Sequence, residues 1–261
     1  MEIVIFIIGL IFGSFYNVVG LRLPKNESII FPGSHCFKCN HKLSWYENIP
    51  VISFIFLKGK CKSCHQKISL MYPVMELLTG ILFLFSYIIF GFSENFIISI
   101  IISSLVIIII VSDSKYMIIS DGPLIVSGLL IIITKLIFEG LNKTLISFMS
   151  GILIFALVYG LMLLGNFLFK KESLGGGDIK LSFIAGLVLG PLLGIFYIIL
   201  ASFLAFPYAM YITVKREENM LPFGPFLAVS MLLLYFNSNL AMLFLKNLLS
   251  LGWNKWKKAL L

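Results

Sequence analysis

Charge is scarce in this 261-residue chain: 20 Lys and Arg with 12 Asp and Glu make up 12% of it, against 59% hydrophobic residues. Soluble domains carry about 25% charged residues, so the composition excludes a water-soluble fold and implies a polytopic membrane protein. The net charge of +8 is no nucleic-acid footprint, because the basic side chains sit in the connections between apolar spans. No low-complexity tract and no internal repeat occurs. Residues 1–20 lack a basic start, with Glu2 in its place, and no small-residue cleavage site follows, so a retained first span is expected rather than a cleaved signal. A Gly-x-Gly-x-x-Gly fingerprint is missing too, which excludes a Rossmann-type nucleotide site.

What is present is a series of apolar runs, at about 1–20, 72–91, 96–112, 123–138, 144–169, 179–194, 195–214 and 224–248. Each approaches the length a helix needs to cross roughly 30 Å of hydrocarbon at about 1.5 Å per residue. The expected fold class is an all-α polytopic membrane protein of about eight transmembrane helices. Residues 181–214 could be read as one crossing, but they are too long for it, and Gly190-Pro191 with Gly194 predicts a turn.

Residues 22–71 form the one sizeable polar insertion. Between Arg22 and Lys67 it holds eight basic residues (Arg22, Lys25, Lys38, Lys42, Lys58, Lys60, Lys62, Lys67) against Glu27 and Glu47. The positive-inside rule therefore makes it cytoplasmic and the N-terminus external. Alternating crossings bring 113–122, 170–178 and 215–222 to the same side, in agreement with Lys115, Lys170-Lys171 and Lys215-Arg216. Eight spans leave the basic C-terminal tail outside; with Trp253 and Trp256 beside its lysines, it is expected to lie flat at the interface. The predicted units are a first span at 1–21, a cytoplasmic loop domain at 22–71 and a helical membrane domain at 72–261.

All four cysteines fall in that loop, as Cys36-Phe-Lys-Cys39 and Cys61-Lys-Ser-Cys64. Two Cys-x-x-Cys knuckles at this separation supply four thiolates to a tetrahedral Zn²⁺. Two disulfides would need an oxidising compartment, which the charge argument does not provide. The zinc is expected to be structural, since a closed shell of Cys36, Cys39, Cys61 and Cys64 leaves no open position. His35, His41 and His65 are expected as solvated loop residues.

Two acids stand where apolar spans meet the cytoplasmic side. Asp113 follows one such run, and Asp178 closes Gly175-Gly176-Gly177-Asp178. A carboxylate at such a place costs a few kcal/mol on insertion scales and needs a reason. Three glycines permit close backbone approach, as an entering substrate strand would require. Two carboxylates within reach of one water share a proton: one takes a proton from the water while the other polarises the scissile carbonyl. Asp113 and Asp178 are thus a candidate aspartyl protease dyad. Asp121, in Asp121-Gly122-Pro123, is expected to cap the next helix.

Several ordered motifs resemble the type IV prepilin peptidases, the prepilin leader peptidase/N-methyltransferase family. They are Gly13-Ser14-Phe15-Tyr16-Asn17-Val18-Val19 with Arg22-Leu23-Pro24, then Asn48-Ile49-Pro50-Val51-Ile52-Ser53 and Lys58-Gly59-Lys60-Cys61. Tyr72 to Gly80, the Asp113–Asp121 interval, Gly175 to Asp178 and Leu221 to Phe226 complete the set, while Ser120 stands where the family usually has Pro. The resemblance implies cleavage of the basic leader of type IV prepilins or pseudopilins after a Gly, at the cytoplasmic face of the bacterial inner membrane. Asp113 and Asp178 would be the catalytic pair. It further implies methylation of the new N-terminal residue with S-adenosylmethionine, with Gly59, Glu76 and Asn17 as candidates near the methyl donor. Prepilins and membrane lipid are the expected partners, with no nucleic acid. Two alternatives stand beside this reading: an intramembrane-type aspartyl peptidase without methyl transfer, and a small proton-coupled transporter using the acids as a relay.

Overall fold

The computed structural model describes residues 1–170, 174–216, 221–243 and 245. The expected interfacial tail with Trp253 and Trp256 lies outside the described residues, as does Lys171. The described residues are all-helical in their regular structure. The helices are α1 (Glu2–Arg22), α2 (Ile52–Phe56), α3 (Met71–Phe90), α4 (Glu94–Tyr116), α5 (Asp121–Glu139), α6 (Leu141–Phe169), α7 (Gly176–Arg216) and α8 (Gly224–Phe236). Among the described residues, six helices are long and apolar enough to cross a membrane: α1, α3, α4, α5, α6 and α7.

α7 is two helices rather than one. Gly190 interrupts it at φ 74°, ψ −179°, a conformation that only glycine adopts readily, and Pro191 follows without an N–H to donate. Ser182 and Tyr197 would lie about 22 Å apart along a continuous helix. Instead their hydroxyls are 2.7 Å apart. The chain therefore reverses at Gly190, and the arms 176–189 and 191–216 run side by side. Folding α7 in two and adding the shorter α8 recovers the eight apolar segments expected from the sequence.

α4 is the central post. Ile102, Leu105, Val106 and Ile109 are essentially inaccessible and pack with Leu181, Ile184, Leu187, Tyr197 and Met231 from α7 and α8, while Ile107 faces Ile5, Tyr16 and Phe83 from α1 and α3. Most other helices keep broad exposed apolar faces, as lipid-facing helices do; Ile125, Leu129 and Ile133 on α5 are one such stripe. The chain's up-and-down course returns the loop 23–70, the end of α4 and the starts of α5, α7 and α8 to one end of the bundle. Contacts across that end agree: Lys25 lies over the Tyr116 ring at 5.7 Å, and Lys180 pairs with Asp121 at 2.6 Å.

Candidate active site and loop cavity

Asp113 sits one turn before the end of α4, where Met117 turns left-handed at φ 54° and its N–H returns to the Asp113 carbonyl. Its side chain points inward, 5% exposed, and its Oδ2 accepts a hydrogen bond from the Gly224 N–H at 3.1 Å. That donor is one of the unpaired amides at the start of α8. Asp178 lies in the first turn of α7, 8% exposed, with its N–H donated to Gly175 O at 3.1 Å. The two acids thus stand at the same end of the bundle, Asp113 in the last turn of α4 and Asp178 in the first turn of α7.

Ile119, in the short link between α4 and α5, is the wedge that sets this geometry. A Cβ on Gly177 would lie 2.6 Å from the Ile119 Cβ. One on Gly224 would lie 2.7 Å from its Cδ1 and 2.9 Å from the Asp113 Oδ2. Glycine at 177 and 224 therefore lets the starts of α7 and α8 close on Ile119 and bring both acids to one end of the bundle. Nothing local in the sequence marks Ile119 for this role, and Gly224 stands out only as part of the Leu221 to Phe226 motif.

Asp121 differs from its expected role. The N-cap of α5 is Ser120; Asp121 is the first helical residue, exposed and ion-paired to Lys180. It is solvent-exposed where Asp113 and Asp178 are buried.

In the loop, the two knuckles are near-copies. Cys36 N–H bonds to His41 O and Asn40 N–H to Cys36 O; Cys61 N–H bonds to Gln66 O and His65 N–H to Cys61 O. Asn40 and His65 both turn left-handed, at φ 53° and 55°. All four cysteines are free, and their sulfurs lie within 4.8 Å of one another. Cys36 and Cys64 are 3.7 Å apart and Cys39 and Cys61 3.9 Å apart. A tetrahedron of sulfurs around zinc at about 2.3 Å has edges of about 3.8 Å, so the cluster fits such an ion. Its electrostatics agree. The Cys39 and Lys38 backbone N–H groups draw the Cys36 thiol down to about 6. The His41 N–H favours the Cys39 thiolate, but burial and the neighbouring thiols push Cys39 up to about 12. Four thiolates so close need a cation among them. His35 bonds Gly33 O, and His41 pairs with Glu47 at 3.2 Å.

Between this loop and the ends of α1, α3 and α4 lies a cavity of about 1260 Å³, whose wall includes Asn17, Glu47, Glu76, Cys36 and Tyr116. Asn17 is 1% exposed; its Nδ2 donates to Tyr72 O, but its Oδ1 has no partner, and neither has Glu47 Oε1. Glu76 Oε2 accepts the Val51 N–H at 2.7 Å. Val51 stands at φ 61°, ψ −49°, with Ile52 N–H reaching back to Pro50 O. That is a classic-type γ-turn, costly for a β-branched residue, and the Glu76 carboxylate helps to hold it. Gly59, at φ +66°, sits beneath the Phe54 ring, and Phe54 rather than Gly59 forms the cavity wall.

Comparison with known proteins adds to this geometry. A family profile described as the bacterial peptidase A24 N-terminal domain matches residues 7–90, and one described as the type IV leader peptidase family matches residues 100–210. The chain is 36% identical over 241 residues to the prepilin leader peptidase/N-methyltransferase of Bacillus subtilis (strain 168), spanning 89% of this chain and 92% of that protein. It is 32% identical over 253 residues to the protein of the same name from Vibrio cholerae serotype O1, spanning 90% and 96%. Against that from Klebsiella pneumoniae the identity is 36% over 195 residues, spanning 71% and 84%. No solved structure matches the chain.

Proposed function

Because the chain belongs to the type IV leader peptidase family, we propose that it cleaves the leader from type IV prepilins or pseudopilins and methylates the N-terminus so exposed. The reading rests on one observation above all: two buried carboxylates, from different helices, gathered at the loop end of the bundle beside Ile119. In the proposed division, residues 1–21 are the first span, 22–71 a zinc-binding insertion and 72–261 the protease.

Asp113 and Asp178 hold one proton between them and one water. The ionised carboxylate takes a proton from the water as the water oxygen attacks the carbonyl carbon of the leader's terminal Gly. The protonated carboxyl gives its proton to the carbonyl oxygen, forming a neutral gem-diol. Collapse of the gem-diol breaks the C–N bond, and the departing nitrogen receives a proton from the dyad. Gly224 N–H fixes the Asp113 carboxylate for these transfers. With the basic loop on the cytoplasmic side, the active end faces the cytoplasm of a bacterial inner membrane, where a basic leader remains while the pilin helix lies in the bilayer.

Methyl transfer belongs to the loop cavity. S-adenosylmethionine, when bound, supplies an electrophilic methyl group to the new amine. The orphan Asn17 Oδ1 and Glu47 Oε1 offer acceptors to a ligand bearing N–H and cationic groups. Glu76 and Gly59 shape the wall, through the Val51 turn and the Phe54 ring. A Zn²⁺ held by Cys36, Cys39, Cys61 and Cys64 would join the knuckles and so keep the cavity's outer side in place; it takes no part in the chemistry.

The test is co-expression with a prepilin from the same genome, reading the mature N-terminus by mass. A cut and methylated terminus is expected. An uncut pilin sinks the reading, and a cut but unmethylated one leaves the peptidase alone.

A further inference from the structure

The longest apolar run in the loop between α1 and α3, beside the shorter Ile29-Ile30-Phe31, is Ile49-Pro50-Val51-Ile52-Ser53-Phe54-Ile55-Phe56-Leu57, which contains α2. The chemistry above gives its outer face no task. Ile55 is 67% exposed and Phe56 81% exposed, with Ile52 beside them. In water such a cluster would be a liability, since exposed apolar patches of this kind mark a contact surface.

Its depth identifies the contact. Val51 hydrogen-bonds Glu76, which lies five residues, about 8 Å, beyond the start of α3 at Met71. Glu76 in turn abuts Gly13, where an added Cβ would lie 2.8 Å from the Glu76 Cα. Gly13 is nine residues, about 14 Å, before the end of α1 at Arg22. The run therefore starts well below the rim marked by Arg22, Lys25 and Lys115. At the level of Glu76, α3 is itself apolar and exposed at Val74 and Leu77.

Its backbone suits the same depth. The N–H groups of Val51, Ile52, Ser53, Ile55, Leu57, Lys58 and Gly59 all bond within the protein, to Glu76 Oε2, Pro50 O, Ile49 O, Val51 O, Ser53 O, Ile55 O and Phe54 O. Non-helical backbone survives at membrane depth only where its polar groups are satisfied internally. A turn followed by one helical turn meets most of that demand here.

We propose that residues 49–57 form a re-entrant wedge whose outer face, Ile52, Ile55 and Phe56, is covered by the acyl chains of the bilayer, so that the loop domain is anchored in the membrane beside α1 and α3. This inference rests on the membrane-spanning fold and is independent of the proposed chemistry. A lipid surface is favoured over a protein partner because the run is tied to α3 at Glu76, at the level of Gly13 on α1, within the membrane-length part of both helices.

The test places a single tryptophan in full-length protein in which Trp45, Trp253 and Trp256 are replaced by Phe. Phe56→Trp and, separately, Ile55→Trp are reconstituted in vesicles of phosphatidylcholine and phosphatidylglycerol. Quenching by lipids brominated along the chain is compared with quenching by aqueous iodide, and Phe37→Trp in the cysteine knuckle serves as the reference. Both wedge positions should emit at shorter wavelength than the reference, lose most of their intensity to brominated lipid and resist iodide. Iodide quenching equal to that of the reference at both positions overturns the proposal. Protection from both quenchers also overturns it, in favour of a protein cover such as a second copy or a pilin helix. Leader cleavage measured on the same vesicles reports separately on the functional reading.

Discussion

Gly224→Ala is the sharpest probe of how the acids are held. The added methyl would lie 2.9 Å from Asp113 Oδ2 and 2.7 Å from Ile119 Cδ1. Comfortable carbon contacts need about 3.5–4.0 Å, so the carboxylate or Ile119 must retreat by roughly 0.5–1 Å. Both are the ends of side chains, so the helices need not move, and a small-to-large change costs about 1–3 kcal/mol of stability. Ile119 is itself braced against Gly177, which limits its retreat and leaves Asp113 to move. Misplacing a reacting group by about 1 Å costs on the order of 10²-fold in rate. The expected result is a kcat for leader cleavage lowered about 10²-fold, with little change in KM. Methylation of a pre-cleaved pilin by the same preparation should be unaffected, because the loop cavity lies elsewhere. A variant with wild-type kcat would refute the claim that Gly224 sets the position of Asp113. Parallel loss of methylation would refute it equally, by revealing a general defect of packing.

Four further outcomes are expected. Asp113→Asn and Asp178→Asn should each abolish cleavage while the protein still inserts, whereas Asp121→Asn, which breaks only an exposed pair with Lys180, should leave cleavage near normal; mass analysis of co-expressed prepilin decides. Replacing Cys36 and Cys39 by Ser should remove zinc in metal analysis and impair methylation more than cleavage; retained methylation without metal would exclude the proposed role of the cluster. Tyr197→Phe should lower thermal stability by about 1 kcal/mol by deleting the hydroxyl that meets Ser182 across the α7 reversal, and an unchanged melting curve in detergent would contradict that clamp. The Ser44 backbone N–H, with His41 beside it, holds the Glu47 carboxyl below the usual carboxylate range. Its stabilisation of the loop is therefore present at neutral pH and fades only as pH falls from the ordinary glutamate range through that lowered value. Exchange of the Ser44 amide in wild type and Glu47→Gln should differ at neutral pH and converge in that acid window; a constant difference would disprove the linkage.

Local chemistry was legible in the chain because it is written in adjacent residues. Scarce charge and long apolar runs implied the helical membrane fold, and Gly190-Pro191 implied the reversal, since glycine and proline act on the backbone where they stand. The Cys-x-x-Cys knuckles declared a four-thiol cluster for the same reason. Asp113 and Asp178 stood out as acids at the ends of apolar runs. That Asp121 would pair with Lys180 rather than cap α5 was not legible, because its partner lies 59 positions away.

The sequence by itself therefore determined that the chain is built of apolar, membrane-length segments, and which side chains are candidates for chemistry. Propensity, hydropathy and knuckle spacing are properties of short stretches. Only the tertiary structure decided what meets what: Ile119 wedged between Gly177 and Gly224, the Gly224 amide turned onto Asp113, and Val51 drawn down to Glu76 so that an apolar run in a polar loop lies at membrane depth. These contacts join residues as many as 111 positions apart, and helix packing sets them rather than any local preference of the chain.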